Sequence, residues 1–249
     1  MAPEAYLRLS EHFKELGISR SQPIIIHSSI LPLFAFTSHP CEVFDDFTST
    51  YFEPSCVRAY PAYVLDGSPV YNPLTTQPTI GALPKYIFSK GSGVRTLTPL
   101  HNHIFVNSKV NPFSFDLHSS FGDSTDFSHF YENNFKLLLF CVDFTSACTY
   151  LHHCEVLVDV PYRIRVQLHR EIVFPGSSVP TLTEINYHAR SDSALNTSFN
   201  RIIQPLSSCK SYRSSCFAGV KSYCVDIREL HRCATEILHR DPLYFLVQQ

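Results

Sequence analysis

The chain has 249 residues, 44% of them hydrophobic, enough to build a substantial core in one α/β domain. Its 20 basic and 22 acidic residues leave a formal net charge of −2, which argues against a nucleic acid or an anionic membrane as the main partner. The longest apolar runs, such as "PIII" and "KLLLF", are too short to span a bilayer, and the charged amino terminus lacks the apolar core of a signal peptide, so a cytoplasmic protein is expected.

In chain order, residues 4–17 carry Tyr6, Leu7, Leu9, Phe13 and Leu16 on one side of an amphipathic helix that stops at Gly17. "PIIIHSS" at 23–29 reads as a buried strand that ends in polar residues. Residues 42–52 are helical by the spacing of Val43, Phe44, Phe47 and Tyr51, and "CVRAYPAYVL" at 56–65 is a second strand broken near Pro61. Residues 66–82 form a loop stiffened by Pro69, Pro73 and Pro78. "LPKYIFSK" is a short helix with Pro84 in its first turn, and a loop and strand follow through "GSGVRTLTPLHNHIFVN". "STDFSHFYENN" is a helix with a Ser or Thr cap, and "FKLLLFCVDF" is a buried strand. After Pro161, "YRIRVQLHREIVF" alternates as a strand or hairpin arm does, and 175–186 reads as a polar loop. Two helical segments are expected near 190–206 and 226–240. No repeat interrupts this order, and alternating strands and helices predict one α/β domain over residues 1–249.

The stretch "TYLHHCE" at 149–155 is the strongest chemical signal. On a helix at about 100° per residue, Thr149 and His152 lie about 60° apart, as do His152 and Glu155, whereas His153 lies about 160° from Glu155. The carboxylate can therefore orient His152 and not its neighbour, and the stripe sits at the carboxyl end of a strand, where open α/β sheets place their sites. A carboxylate-held imidazole is a standard general base. A core histidine with one satisfied hydrogen bond gives the same pattern, so both readings stand at this point.

Three further signals are weaker. "HSS" at 27–29 ends a strand and offers hydroxyl and N–H donors for a carbonyl or oxyanion, or simply caps the strand. "SGVRTLTP" offers Arg95, Thr96 and Thr98 in a glycine-flanked loop, suited to phosphate or to plain solvent. "HHCE" and "HNH" at 101–103 contain zinc-ligand types, but six to eight residues separate each of the cysteines at 209, 216, 224 and 233 from the next and no Cys-x-x-Cys pair exists, so no metal is expected. The odd count of nine cysteines reads as free thiols, Cys148 and Cys154 included.

In order and spacing these segments resemble the aminoglycoside 3-N-acetyltransferase family over about residues 20–165. The marks are His27-Ser28-Ser29, "YNPLTTQPTIGALP" against Tyr-Asp-Pro…Thr…Gly-x-Leu-Pro, "RTLTP" against Arg-Ser-x-His-Pro, "FGDSTDF", and Thr149-x-x-His152-x-x-Glu155 followed by "PYR". The resemblance implies a three-layer α/β/α sandwich with a central mixed sheet. It implies acetyl-CoA as donor and direct transfer to an amine without a covalent enzyme intermediate. His152 would take the amine proton, Glu155 would hold the imidazole, and Thr149 would place the thioester or stabilise the oxyanion. His27, Ser28, Ser29, Arg95, Thr96 and Thr98 would line the coenzyme A path. Departures occur at Asn72 for Asp, Thr96 for Ser, Thr98 for His, and "LLLFCVDF" for a Gly-Val-Gly strand.

Near-neutral charge and Ser- and Asn-rich loops after 175 favour a small-molecule amino sugar of surface polysaccharide biosynthesis, free or nucleotide-linked, over a polycationic aminoglycoside. A true aminoglycoside acetyltransferase, a coenzyme A-binding homologue without turnover, and a zinc hydrolase on the histidines remain as alternatives. The reading involves no nucleic acid and no membrane, and it allows a homodimer.

Overall fold

The computed structural model describes residues 3–247. Its strands are β1 (Ile24–Ser28), β2 (Arg58–Pro61), β3 (Val70–Tyr71), β4 (Val94–Arg95), β5 (His103–Val106), β6 (Lys136–Phe140), β7 (Arg163–Ile172), β8 (Thr181–Arg190), β9 (Asn196–Thr197), β10 (Arg213–Phe217), β11 (Val220–Asp226) and β12 (Leu246–Val247). Its helices are α1 (Pro3–Glu15), α2 (Pro40–Tyr51), α3 (Ala82–Ser89), α4 (Asp126–Glu132), α5 (Phe144–Ala147), α6 (Tyr150–Val158), α7 (Ile203–Leu206) and α8 (Ile227–Arg240).

Seven strands form the central sheet in the order β10-β11-β6-β1-β2-β5-β4. The middle trio β6, β1 and β2 is parallel, and the flanking pairs are antiparallel, so the sheet is mixed. Alternation along the strands splits the core in two. Ile25, Ala59, Leu137 and Leu139 point to one face and pack with Phe127, Phe130, Leu151 and Leu230 from α4, α6 and α8. Ile24, Ile26, Leu138 and Phe140 point to the other and pack with Leu9, Phe13, Phe44 and Ile87 from α1, α2 and α3. This is the expected three-layer α/β/α sandwich. β4 lies close against β5 because Gly93 has no side chain: a Cβ there would fall 2.5 Å from the Phe105 carbonyl oxygen.

Two expectations fail, and one hairpin was unforeseen. The polar loop at 175–186 ends at Thr181, where β8 begins and pairs along its whole length with β7. Backbone pairing makes that strand, with Thr183 and Ile185 turned inward, and its polar composition hid it. The helix near 190–206 is instead a turn, β9, a short 3-10 segment at Phe199–Ile202 and α7. Pro205, which lacks an N–H and crowds the preceding turn, is the signal that should have limited it. The hairpin of β10 and β11 was not anticipated at all. Its turn places Ala218 and Gly219 at φ 47° and 81°, a primed turn whose sequence "AG" is a weak marker.

Among the described residues no helix is long and apolar enough to cross a membrane. All nine cysteines are free thiols.

Candidate active site

A cleft of about 480 Å³ opens at the carboxyl ends of the parallel strands β1, β2 and β6. His27 and Ser28 reach it from β1, Pro61 and Tyr63 from the end of β2, and Val142, Ser146 and Thr149 from the segment after β6. His152 enters from the first turn of α6, His101 from the loop before β5, and Tyr187 from β8.

The turn after β6 aims this segment. Cys141 sits at φ 54° and releases the chain from the sheet. Asp143 then caps α5, its carboxylate accepting the Ser146 N–H at 2.7 Å. α6 follows at once, and its rotation separates the adjacent histidines. His152 lines the cleft, whereas His153 is buried against Phe127 and Tyr150 and its Nδ1 accepts the Gly122 N–H. Burial pushes the His153 pKa down to about 3.

Glu155 is fully buried directly behind His152. One oxygen takes the His152 Nδ1 hydrogen at 2.7 Å and the Arg163 Nε hydrogen at 3.0 Å, and the other takes the Tyr162 hydroxyl at 2.7 Å. Burial alone would raise its pKa, but these donors and the Arg163 charge outweigh it and hold the group below the usual value. Arg163 Nη2 also lies 2.8 Å from His152 Nδ1. That nitrogen cannot both give a proton to Glu155 and accept one from Arg163. Two lone pairs do not meet at 2.7 Å, so the hydrogen sits on Nδ1, and in the neutral ring Nε2 carries the lone pair. The site thus holds an oriented imidazole whose cation has a buried counter-ion.

The other anticipated residues divide. His27 and Ser28 share the cleft with Thr149 and His152, and burial lowers the His27 pKa to about 3. Ser29 is half-buried, its N–H on the Phe140 carbonyl, and does not line the cleft. Arg95, Thr96 and Thr98 are buried and outside it. The Arg95 guanidinium bonds Asn102, Ala62 O and Thr76 O and stacks near Tyr71 and Phe88. The Thr96 hydroxyl donates to Asp126 at 2.8 Å. Their polar atoms are committed to the scaffold, because the short pairing of β4 with β5 turns this segment inward. The imidazole lost at position 98 has a counterpart in the same cluster: His103 Nδ1 lies 2.7 Å from Asp126.

Several participants escaped the sequence reading. Tyr63 and Tyr187 carried no motif. Arg163 and Tyr162 stood in "PYR", but their bonds to Glu155 need the turn after α6. His101 was weighed only as a zinc-ligand type. It is buried, its Nδ1 has no partner, and burial lowers its pKa to about 3. Among the described residues no group of three or more His, Cys, Asp or Glu is gathered for a metal ion.

The aminoglycoside 3-N-acetyltransferase family model matches residues 43–239. No curated protein sequence matches the chain. Solved structures share the fold, three of them as follows. "AAC-IIIb binary with CoASH" has a TM-score of 0.80 at 16% identity over 98% of both chains. The YokD protein from Bacillus subtilis has a TM-score of 0.78 at 15% identity, over 95% of this chain and 94% of its own. The apoenzyme of aminoglycoside acetyltransferase AAC(3)-IVa has a TM-score of 0.77 at 19% identity, over 98% of this chain and 91% of its own.

Proposed function

The chain belongs to the aminoglycoside 3-N-acetyltransferase family, and from that premise we propose that it transfers the acetyl group of acetyl-CoA directly to a sugar amine, with His152 as general base. The carrying observation is the Glu155–His152 pair, whose tautomer leaves Nε2 free in the cleft. The amine nitrogen attacks the thioester carbon and forms the amide bond. His152 Nε2 takes the amine proton, the carbon–sulfur bond breaks, and the departing thiolate recovers a proton from the imidazolium. Glu155 stabilises that imidazolium between the two transfers.

The cleft chemistry supports the donor. Pro61, Leu65, Ile80, Pro84 and Ala147 give an apolar wall suited to a pantetheine arm, with Ser28 and Thr149 as polar points along it. The coenzyme A path is assigned to His27, Ser28 and Thr149. Ser29, Arg95, Thr96 and Thr98 lie outside the cleft lining, and the last three bond into the scaffold.

For the acceptor, no residue lining the cleft is Asp or Glu. A polycation gains affinity from acidic walls, and these walls carry apolar side chains, hydroxyls and imidazoles. That supports an amino sugar with few cationic groups, such as an intermediate of surface polysaccharide biosynthesis. The ligands of the relatives favour a second reading, since AAC(3)-IVa structures contain a gentamicin and apramycin. A screen with acetyl-CoA decides between them, with His152→Ala as control. Turnover of mono-amino sugars above aminoglycosides supports the first reading, and the reverse order establishes the second. Equal release of thiol by wild type and His152→Ala refutes the base.

A further inference from the structure

His101 lines the cleft beside the base, and the mechanism above gives it no part. The residue is 8% exposed. Its ring packs edge-on against Tyr63, with 5.1 Å between centroids, and against Phe121 at 5.0 Å. The Phe121 ring also lies 6.2 Å from that of His152, so both imidazoles rest on one phenyl group. Nδ1 of His101 is enclosed without a hydrogen-bond partner, and Nε2 is the ring nitrogen left open on the cleft wall.

Two properties follow. The first concerns charge. His152 has a carboxylate at 2.7 Å, whereas His101 has aromatic rings against it and burial lowers its pKa to about 3. A proton taken from the amine therefore settles on His152, and His101 stays neutral through turnover. The second concerns direction. A neutral imidazole carries one N–H. Enclosing an N–H without an acceptor costs more than enclosing a lone pair, so the hydrogen lies on Nε2 and is offered to the cleft.

The reaction needs a donor of this kind. As the amine attacks, the carbonyl π pair moves onto the thioester oxygen, and it returns to the carbon as the carbon–sulfur bond breaks. Neither Lys nor Arg lines the cleft to meet that charge. The hydroxyls of Ser28, Ser146 and Thr149 rotate, whereas a packed imidazole holds its N–H in one direction before the charge develops, and such preorganisation is what makes an oxyanion donor effective. His27 is the other buried imidazole of the cleft, but its ring contact among the described residues is with Tyr63 at 6.4 Å and does not bring it to the Phe121 wall shared by the base.

We propose that His101 is a catalytic residue whose Nε2–H donates a hydrogen bond to the thioester oxygen of acetyl-CoA and stabilises the oxyanion formed when the amine attacks. The inference rests on the acetyl-transfer reading above. His101 gives up no proton in the step, and the amine proton still passes to His152.

Infrared difference spectra of acetyl-CoA carrying carbon-13 at the carbonyl, bound to the protein without an acceptor, read this bond directly. The carbonyl band should lie at lower frequency on wild type than on His101→Phe, which keeps the ring packing and removes the donor. If His101→Phe does not fold, His101→Leu makes the same comparison. His101→Gln restores an N–H and should return the band part of the way. With the best acceptor, His101→Phe should lower kcat by about 100- to 1,000-fold, the worth of one oxyanion donor, and leave the KM for acetyl-CoA within about threefold. The pH profile of kcat/KM should keep its shape, because His152 remains the base. A profile that loses its acid limb would make His101 the base and overturn the proposal. Equal carbonyl frequencies on wild type and His101→Phe would overturn it as well, and would leave the acetyl-transfer reading standing. Acetyl-CoA that does not bind wild type at all would refute that reading and this proposal with it.

Discussion

Replacing Glu155 by Gln removes a charge while keeping the shape. Oε2 takes hydrogens from both His152 and Arg163, and Oε1 takes the Tyr162 hydroxyl. A glutamine can place its carbonyl oxygen at the first position and its NH2 at the second, where the Tyr162 hydroxyl rotates to accept. The His152 tautomer survives, and the imidazolium loses its counter-ion. At about 4 Å and an effective dielectric near 20 that attraction is worth about 4 kcal/mol. Part of it is recovered by the retained hydrogen bond, so the barrier should rise by about 2–4 kcal/mol, and kcat should fall by about 30- to 1,000-fold. Arg163, whose side chain is only 12% exposed, is left without its carboxylate. Breaking such a pair costs about 3–5 kcal/mol, or roughly 6–20 °C in Tm for a chain of this size. The assay is thiol release with acetyl-CoA and the best acceptor, with coenzyme A affinity measured by calorimetry as the control. The affinity should hold, because Glu155 lies behind the cleft. Adding Arg163→Met to Glu155→Gln should recover most of the Tm and none of the kcat. A Glu155→Gln enzyme with kcat within about threefold of wild type, less than one hydrogen bond is worth, would refute the orientation and counter-ion role.

Arg95→Met should destabilise the fold by about 3 kcal/mol, read by denaturant unfolding, because it orphans two buried acceptors and a half-buried one, and should leave the KM for acetyl-CoA within about twofold. A large KM change with unaltered stability would return Arg95 to the donor site. Acid should unfold the protein steeply. His12 is neutral in the fold down to about pH 4, and His27, His101 and His153 to about pH 3, all through burial. Unfolded, each binds a proton below about pH 6.5, so unfolding takes up protons between these values and stability falls as pH drops, by about 1.4 kcal/mol per unit per histidine. His12 has no partner for either ring nitrogen and lies between Phe140 and Phe217, so His12→Phe should raise stability at about pH 5 more than at about pH 8. An unfolding free energy that is flat from about pH 7 to pH 5 would contradict the burial of these rings. Ala218→Asn should stabilise the β10–β11 hairpin by about 1 kcal/mol, since an alanine at positive φ carries that strain and asparagine tolerates it; an unchanged Tm would count against the primed turn.

The sequence by itself determined the parts that depend on short-range periodicity. The runs at β1 and β6 are apolar without alternation, which only a strand covered on both faces requires, and the helices α1, α2 and α8 followed from apolar residues three and four apart. The separation of His152 from His153 was likewise legible, because the rotation of one helix turn is fixed by backbone geometry. Local pattern did not reach contacts made by distant segments. β8 is a strand because β7 pairs with it, and β10 and β11 depend on a weak turn and on β6. Arg95 looked like a phosphate ligand in its loop, and the close approach of β4 to β5 drew it inside. Tyr63, His103 and Asp126 stand up to 63 residues apart, and no spacing in the sequence joins them; only the sheet brings them together. Chemistry held within one helical turn can be read from spacing. Chemistry assembled across the sheet depends on long-range packing, which spacing does not encode.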